Sequence, residues 1–281
     1  MRAGSVPPDE PKDLVGEEGQ VIGGRGRHGA RPRDWAENED KQVPTYEEAI
    51  RRVRVTPGQR VLDIGCGTGV FLRLLADNGA KPFGLDASEA LLEIAGQRAP
   101  EADLRVGEME LLPYDDDSFD LDTGFNSFFF AADLVAALRE AGRVAKPGAP
   151  VLIQVWGPPE RCDLEAMKQV ARRYAPAPPP DAAPPPKLSE PGVLEGLADE
   201  ADLTPEERFD MKYAFEYQDE ETLGRLLMAP MGLAKLAGPE REDALKREIV
   251  DTLAPYRAPD GSYRLNNEFH YLVARAPEVT A

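Results

Sequence analysis

Val61-Leu62-Asp63-Ile64-Gly65-Cys66-Gly67-Thr68-Gly69 is the stretch from which the rest of the chain can be read. An apolar run ends in three alternating glycines, and Val70, Phe71, Leu74 and Leu75 then recur at helical spacing. That is the pattern of a buried parallel strand turning through a tight loop into a helix. Glycines at such a turn allow positive φ and remove the Cβ that would keep a ligand off the backbone. The N-terminus of the helix then offers unpaired N–H groups to an anionic part of that ligand.

The spacing narrows the ligand. The dinucleotide fingerprint is Gly-x-Gly-x-x-Gly; here the third glycine comes one residue early, and Val70 stands at the later position. The Gly-Lys-Ser/Thr of a P-loop is absent. A second strand, Lys81 to Leu85, ends at Asp86, which lies 17 residues after Gly69. In doubly wound folds an acidic residue about 20 residues on meets ribose hydroxyls. A carboxylate suits that role because it accepts from two neighbouring O–H donors. The alternative, a capping acid, is less needed because Ser88 can cap the helix Ser88 to Arg98.

These residues resemble the first two motifs of the class I S-adenosylmethionine-dependent methyltransferase family. Leu111-Leu112-Pro113-Tyr114, Ser118-Phe119-Asp120 and the Lys146-Pro147-Gly148 turn resemble it too, so the likeness covers about 60–156. The resemblance implies S-adenosyl-L-methionine as cofactor. It implies that Asp63 and the backbone of Gly65, Cys66 and Gly67 hold the methionine portion. Asp86, with Ala87, would take the ribose, Glu108 and Met109 the adenine, and Asn126 would stand near the sulfonium. Glu108 departs from the Asp that most relatives carry. Substrate-side candidates are Trp35, Ser127, Phe128 and Trp156, with core packing as the alternative for Trp35, Phe128 and Trp156. The only histidines are His28 and His270. His270 is the candidate general base, and a structural role is its alternative. No metal site is expected.

The coarse pattern predicts an α/β fold: a seven-stranded, mostly parallel Rossmann-like sheet with a last antiparallel strand. Further strands are expected at Ala102 to Val106, Phe119 to Phe125, Pro150 to Val155, Glu207 to Tyr217 and Tyr263 to Ala274. Helices are expected at 45–54, 131–144, 163–174, 189–200, 220–236 and 241–256. The domain reading is a flexible tail at 1–33, which includes the Gly23 to Gly29 run, and a helical segment at 34–56 over the cleft. The core takes 57–218 and 258–277, with a helical cap at 219–257 inserted before the last strand. Pro176 to Pro186 reads as extended.

A net charge of −18 over 281 residues argues against nucleic acid, whose phosphates need a basic face. Hydrophobic residues make up 42%, enough for a sizeable core. Cys66 and Cys162 lack metal-type spacing and read as free thiols. Residues 1–30 show no apolar central run, and Phe125 to Leu138 is too short and polar to span a membrane. The expectation is a cytoplasmic enzyme, monomer or homodimer, that methylates an O, N or C nucleophile of a small molecule, with secondary metabolism as one setting. The competing expectation is a repurposed member of the fold that binds the cofactor without methylating.

Overall fold

The computed structural model describes residues 31–174, 185–230, 233 and 237–278. The expected tail up to residue 30, with its glycine run, and residues 175–184 of the proline-rich stretch lie outside the described residues. So do residues 231, 232 and 234–236 of the expected helix 220–236.

The central sheet is built from β1 (Arg60–Ile64), β2 (Lys81–Asp86), β3 (Asp103–Val106), β4 (Leu121–Phe125), β5 (Pro150–Trp156), β6 (Thr204–Tyr217) and β7 (Tyr263–Arg275). Its order is β3-β2-β1-β4-β5-β7-β6. The first five strands pair in parallel, and β7 runs antiparallel to both β5 and β6. The strand order reverses between β1 and β4, and open α/β sheets place ligands beyond the strand ends at such a switch.

Two apolar layers cover the sheet. Phe71, Leu75, Leu121, Leu152 and Tyr271 lie in one buried cluster. Leu62, Ile64, Val151, Ile153 and Leu272 lie in the other. β1 therefore buries side chains of both parities, which is why it reads as an unbroken apolar run. Each such buried side chain contributes about 1.5–3 kcal/mol.

The first layer draws on α2 (Val43–Val53), α3 (Val70–Asp77), α6 (Glu165–Tyr174), α8 (Glu220–Leu227) and α9 (Glu242–Leu253). The second draws on α5 (Leu134–Val144) and α7 (Val193–Glu200). The remaining helices are α1 (Pro32–Glu39) and α4 (Glu89–Arg98). Between β6 and β7 in sequence, α9 packs on α6 and α8, and α8 packs on α1.

Several boundaries differ from the sequence expectation. The segment before β1 holds two helices, α1 and α2, joined by a 3-10 turn at Asp40–Gln42. α5 starts at Leu134 rather than 131, because Asp133 caps it by accepting the Ala136 N–H at 2.9 Å. Phe128–Phe130 form a 3-10 turn ahead of it. α7 starts at Val193, after Gly192 adopts φ +82°. α8 stops at Leu227, ahead of Pro230, which has no N–H to continue a helix. Among the described residues no helix is long and apolar enough to cross a membrane.

Candidate functional site

The glycine loop leaves β1 with Gly65, Gly67 and Gly69 at φ +80°, +54° and +79°. Its ascent is pinned to β2, since the N–H groups of Gly65 and Cys66 both donate to Leu85 O, at 2.7 and 3.0 Å. A Cβ at Gly65 would stand 2.4 Å from Ser127 Cβ. A Cβ at Gly67 would stand 3.0 Å from Glu39 Oε2. The loop is thus squeezed between the tip of β4 and helix α1, and only glycine fits there. The Cys66 side chain turns away into the core, where burial pushes its thiol well up; Cys66 brings only backbone to the cleft. Cys66 and Cys162 are both free and buried.

Three acids converge on this loop. Asp86, at the end of β2, accepts from Gly67 N–H at 3.0 Å and from Ser88 N–H at 2.9 Å. Asp63, on β1, accepts from the Thr123 hydroxyl at 2.9 Å. Burial raises the Asp63 carboxyl to about 8 against that hydrogen bond, with repulsion from Glu39 and Asp86 adding to the rise. Glu39, the last residue of α1, accepts from both Thr68 N–H (2.9 Å) and Thr68 Oγ1 (2.6 Å) through Oε2. Burial lifts it to about 7, although Thr68 and Arg98 pull the other way. Burial also raises Asp86, against its backbone donors.

Ala87 is exposed beside Asp86, and Glu108 and Met109 are half-buried beyond β3. Gly107 N–H donates to Asp86 O at 3.2 Å, which brings that turn beside the end of β2.

Asn126 follows β4 with φ +51°, an uncommon conformation outside glycine. Its Nδ2 donates to Gln154 Oε1 (3.0 Å), Gln154 Nε2 donates to Tyr271 Oη (2.7 Å), and Tyr271 Oη donates to Thr45 O (3.1 Å). This relay fixes the amide from β5, β7 and α2. Asn126 Oδ1 is buried and accepts no hydrogen bond.

Other candidates take different places. Phe128 is 1% exposed and fills the space left by Gly124, whose Cβ would lie 2.4 Å from the ring. It is a core residue and not a wall of the cleft. Ser127 donates to Ile64 O at 2.6 Å and backs Gly65, so its hydroxyl is engaged within the scaffold. Trp156 ends β5, half-buried, with its ring 4.9 Å from Phe269 and Lys168 Nζ 4.5 Å above it. Trp35 lies half-buried on α1.

His270 is not placed as a general base. It sits on β7 with Nδ1 against Asp210 Oδ1 and Nε2 2.9 Å from Ser189 O. Both nitrogens are taken, on the face of the sheet opposite Tyr271 and Asp63. Asp210, Glu268 and His270 bring one possible ligand atom each within 4.8 Å of one another. Arg161 pairs with Glu268 at 2.8 Å, and Lys212 Nζ lies 3.8 Å from it. That group reads as a polar network, since Glu268 already faces Arg161 and Lys212 and Asp210 is engaged by His270.

Sequence reasoning missed Glu39, Thr68, Arg98 and the Gln154–Tyr271 relay. Glu39 sits in Glu37-Asn38-Glu39-Asp40, which reads as a solvated charge run. The relay couples residues far apart in the chain, so no local pattern announces it.

A methyltransferase-domain family model matches residues 62–153, the stretch from β1 through β5. The chain is 35% identical over 96 residues to malonyl-[acyl-carrier protein] O-methyltransferase of Serratia marcescens, covering 34% of this chain and 38% of that one. It is 33% identical over 144 residues to dTDP-4-amino-2,3,4,6-tetradeoxy-D-glucose N,N-dimethyltransferase of Saccharopolyspora spinosa, covering 48% and 53%. The chain thus spans about half or less of the length of these curated relatives. Among solved structures it resembles the [4+2]-cyclase SpnF at a TM-score of 0.56 and 22% identity, over 84% of this chain and 81% of that one. The matched region is the one that carries the glycine loop, Asp86 and Asn126. Residues 62–153 thus match a methyltransferase domain, and the sheet that holds them has the fold of the solved neighbours.

Proposed function

We propose that the protein transfers a methyl group from S-adenosylmethionine to an O, N or C nucleophile of a small molecule. The observation that carries this reading is the convergence of Glu39, Asp63 and Asp86 on the glycine loop. Their hydrogen bonds come from N–H and O–H groups, with no ion pair to any of the three among the described residues. Buried acids without a cation favour a ligand that carries positive charge. The unfilled acceptor at Asn126 Oδ1 and the glycine-lined backbone fit the same ligand.

S-adenosylmethionine, when bound, supplies a methyl group on a sulfonium sulfur. The chain's own part is to hold and orient. Asp63 and the loop backbone take the methionine portion, Asp86 with Ala87 the ribose, and Glu108 and Met109 the adenine. Asn126, fixed by Gln154, sits at the strand tip where the acceptor must arrive. Holding two reactants in line is worth about 7–11 kcal/mol of a barrier in well-oriented cases. Helices α8 and α9, within the 219–257 insertion, cap the acceptor side, with Trp35 and Trp156 as walls. The acceptor is a small molecule, as the name of the Saccharopolyspora spinosa relative has it for a sugar nucleotide, and the setting is cytoplasmic.

A second reading is a member that binds the cofactor without methylating; the cyclase of the same fold favours it. Calorimetry with S-adenosylmethionine, then product mass after incubation with candidate acceptors, separates the two. Binding with a gain of one methyl on any acceptor supports the first. Binding with no methylated product across the panel supports the second, and no binding ends both.

A further inference from the structure

We propose that Glu39, on a helix outside the matched domain, is a further cofactor-binding residue whose carboxylate receives the α-ammonium group of the methionine portion. The proposal rests on the reading of the cleft as an S-adenosylmethionine site.

Glu39 is 4% exposed, and no lysine or arginine among the described residues forms an ion pair with it. Arg98 is near, but its guanidinium donates elsewhere: to Thr68 Oγ1 at 2.8 Å, Ala36 O at 3.1 Å and Asp40 Oδ2 at 3.2 Å. Oε2 of Glu39 takes both hydrogen bonds from Thr68. Oε1 accepts neither of them and lies 3.2 Å from where a Gly67 Cβ would stand. Oε2 stands 3.0 Å from the same point, so the carboxylate lies flat against the loop residue that the ligand must approach, and Oε1 is the oxygen without a Thr68 donor.

The chemistry selects an ammonium. An anionic group would join three carboxyls that already repel one another, and a neutral one would leave that repulsion in place. A sulfonium has no N–H to donate, whereas an ammonium has three.

The helix that carries Glu39 is held to do this. Arg225 of α8 donates to Asp34 at 2.6 Å and to Glu37 at 2.7 Å, and Tyr217 Oη donates to Asn38 at 3.2 Å. Arg31 pairs with Glu242 at the start of α9. Of the three buried residues on α1, Ala36, Asn38 and Glu39, only one is apolar. Polar clamps, rather than apolar burial, set the position of the carboxylate.

Two probes on the full chain test this by calorimetry. S-adenosylhomocysteine carries the ammonium, and 5′-methylthioadenosine is the same nucleoside without the amino-acid portion. Glu39→Gln keeps the shape and an acceptor for Thr68. It should weaken S-adenosylhomocysteine roughly 10- to 100-fold, the range of a lost charge-assisted hydrogen bond, and leave 5′-methylthioadenosine within about twofold. Equal weakening of both probes would overturn the proposal, because Glu39 would then act only by seating the loop. Unchanged affinity for both would overturn it too. If wild-type protein binds neither probe, the cleft reading fails and this one falls with it. Should Glu39→Gln not fold, Glu39→Asp retains the charge on a shorter arm, and the same selective loss is expected, smaller in size.

Discussion

The glycine-loop rim and the β6–β7 flank, where Glu268 is buried, Glu195 half-buried and Asp210 exposed, both gather acids but treat them oppositely. On the flank Glu268 meets Arg161, Asp210 meets His270, and Glu195 meets Arg208 at 2.8 Å. On the rim Asp63, Asp86 and Glu39 meet only hydroxyl and backbone N–H donors. A paired acid adds little net stability but is self-contained. An acid left without a cation costs free energy in the ligand-free fold, and at the tip of a cleft a bound ligand can relieve that cost. On the function proposed above, the contrast separates a rim suited to a cationic ligand from a flank whose acids are already paired.

The largest effect should come from Gly65→Ala. At φ +80°, with Ser127 Cβ 2.4 Å from the new methyl, the loop has to move. We expect cofactor affinity to fall more than about 100-fold and stability by about 2–4 kcal/mol, read by calorimetry and denaturant unfolding. Near-normal binding would show that the loop is not a ligand surface.

Asp86→Asn comes next. It removes the charge and sets an amide against two N–H donors, so S-adenosylhomocysteine should bind about 30- to 100-fold more weakly. An unchanged affinity would place the ribose elsewhere.

The third effect is pH dependence. Glu39 and Asp63 are raised to about 7 and about 8. A cationic ligand binds their ionised forms, so affinity should climb from pH 6 to pH 8, by at most about tenfold per unit for each group. The ligand-free fold should respond in the opposite sense. Folded protein holds these protons more tightly than unfolded, so the two groups lower stability as pH rises from the ordinary carboxylate range to their folded values. Thermal melts with and without ligand should diverge over that window. A flat affinity profile would mean that the rim acids do not meet the ligand's charge.

Asp122 sharpens the contrast with the smallest effect on binding. It is 0% exposed in mid-strand, with both oxygens lacking hydrogen bonds, and burial pushes its carboxyl well up. It sits between Leu62 and Val151 as the second residue of β4, at the end of the strand away from the rim. Asp122→Val should raise stability by about 1–3 kcal/mol and leave cofactor affinity within about twofold. A loss of affinity would extend the site into the sheet.

How much of this the residues announced depends on how local the physics is. β1, its loop and α3 were legible because a double-sided apolar strand, alternating glycines and a 3.6-residue repeat all lie within Val61–Leu75. Asp86 followed from its offset. α1 was not legible, because only Ala36 among its buried residues is apolar, and its hold comes from Arg98 and Arg225, far along the chain. Glu39 went unseen for the same reason. The break after Leu227 in the helix expected at 220–236 is hidden by apolar spacing that continues past it. His270 attracted attention by residue type alone, whereas its chemistry is settled by Asp210 across the β6–β7 pair and by Ser189.

The most direct measurement is the proton balance of cofactor binding. Wild-type protein is titrated with S-adenosylhomocysteine at pH 6.5 in buffers of different ionisation enthalpy. The rim acids should ionise as the ammonium arrives, so one ligand should bind per chain with release of roughly one proton. Binding without proton release, or no binding at all, would contradict a cleft built from uncompensated acids.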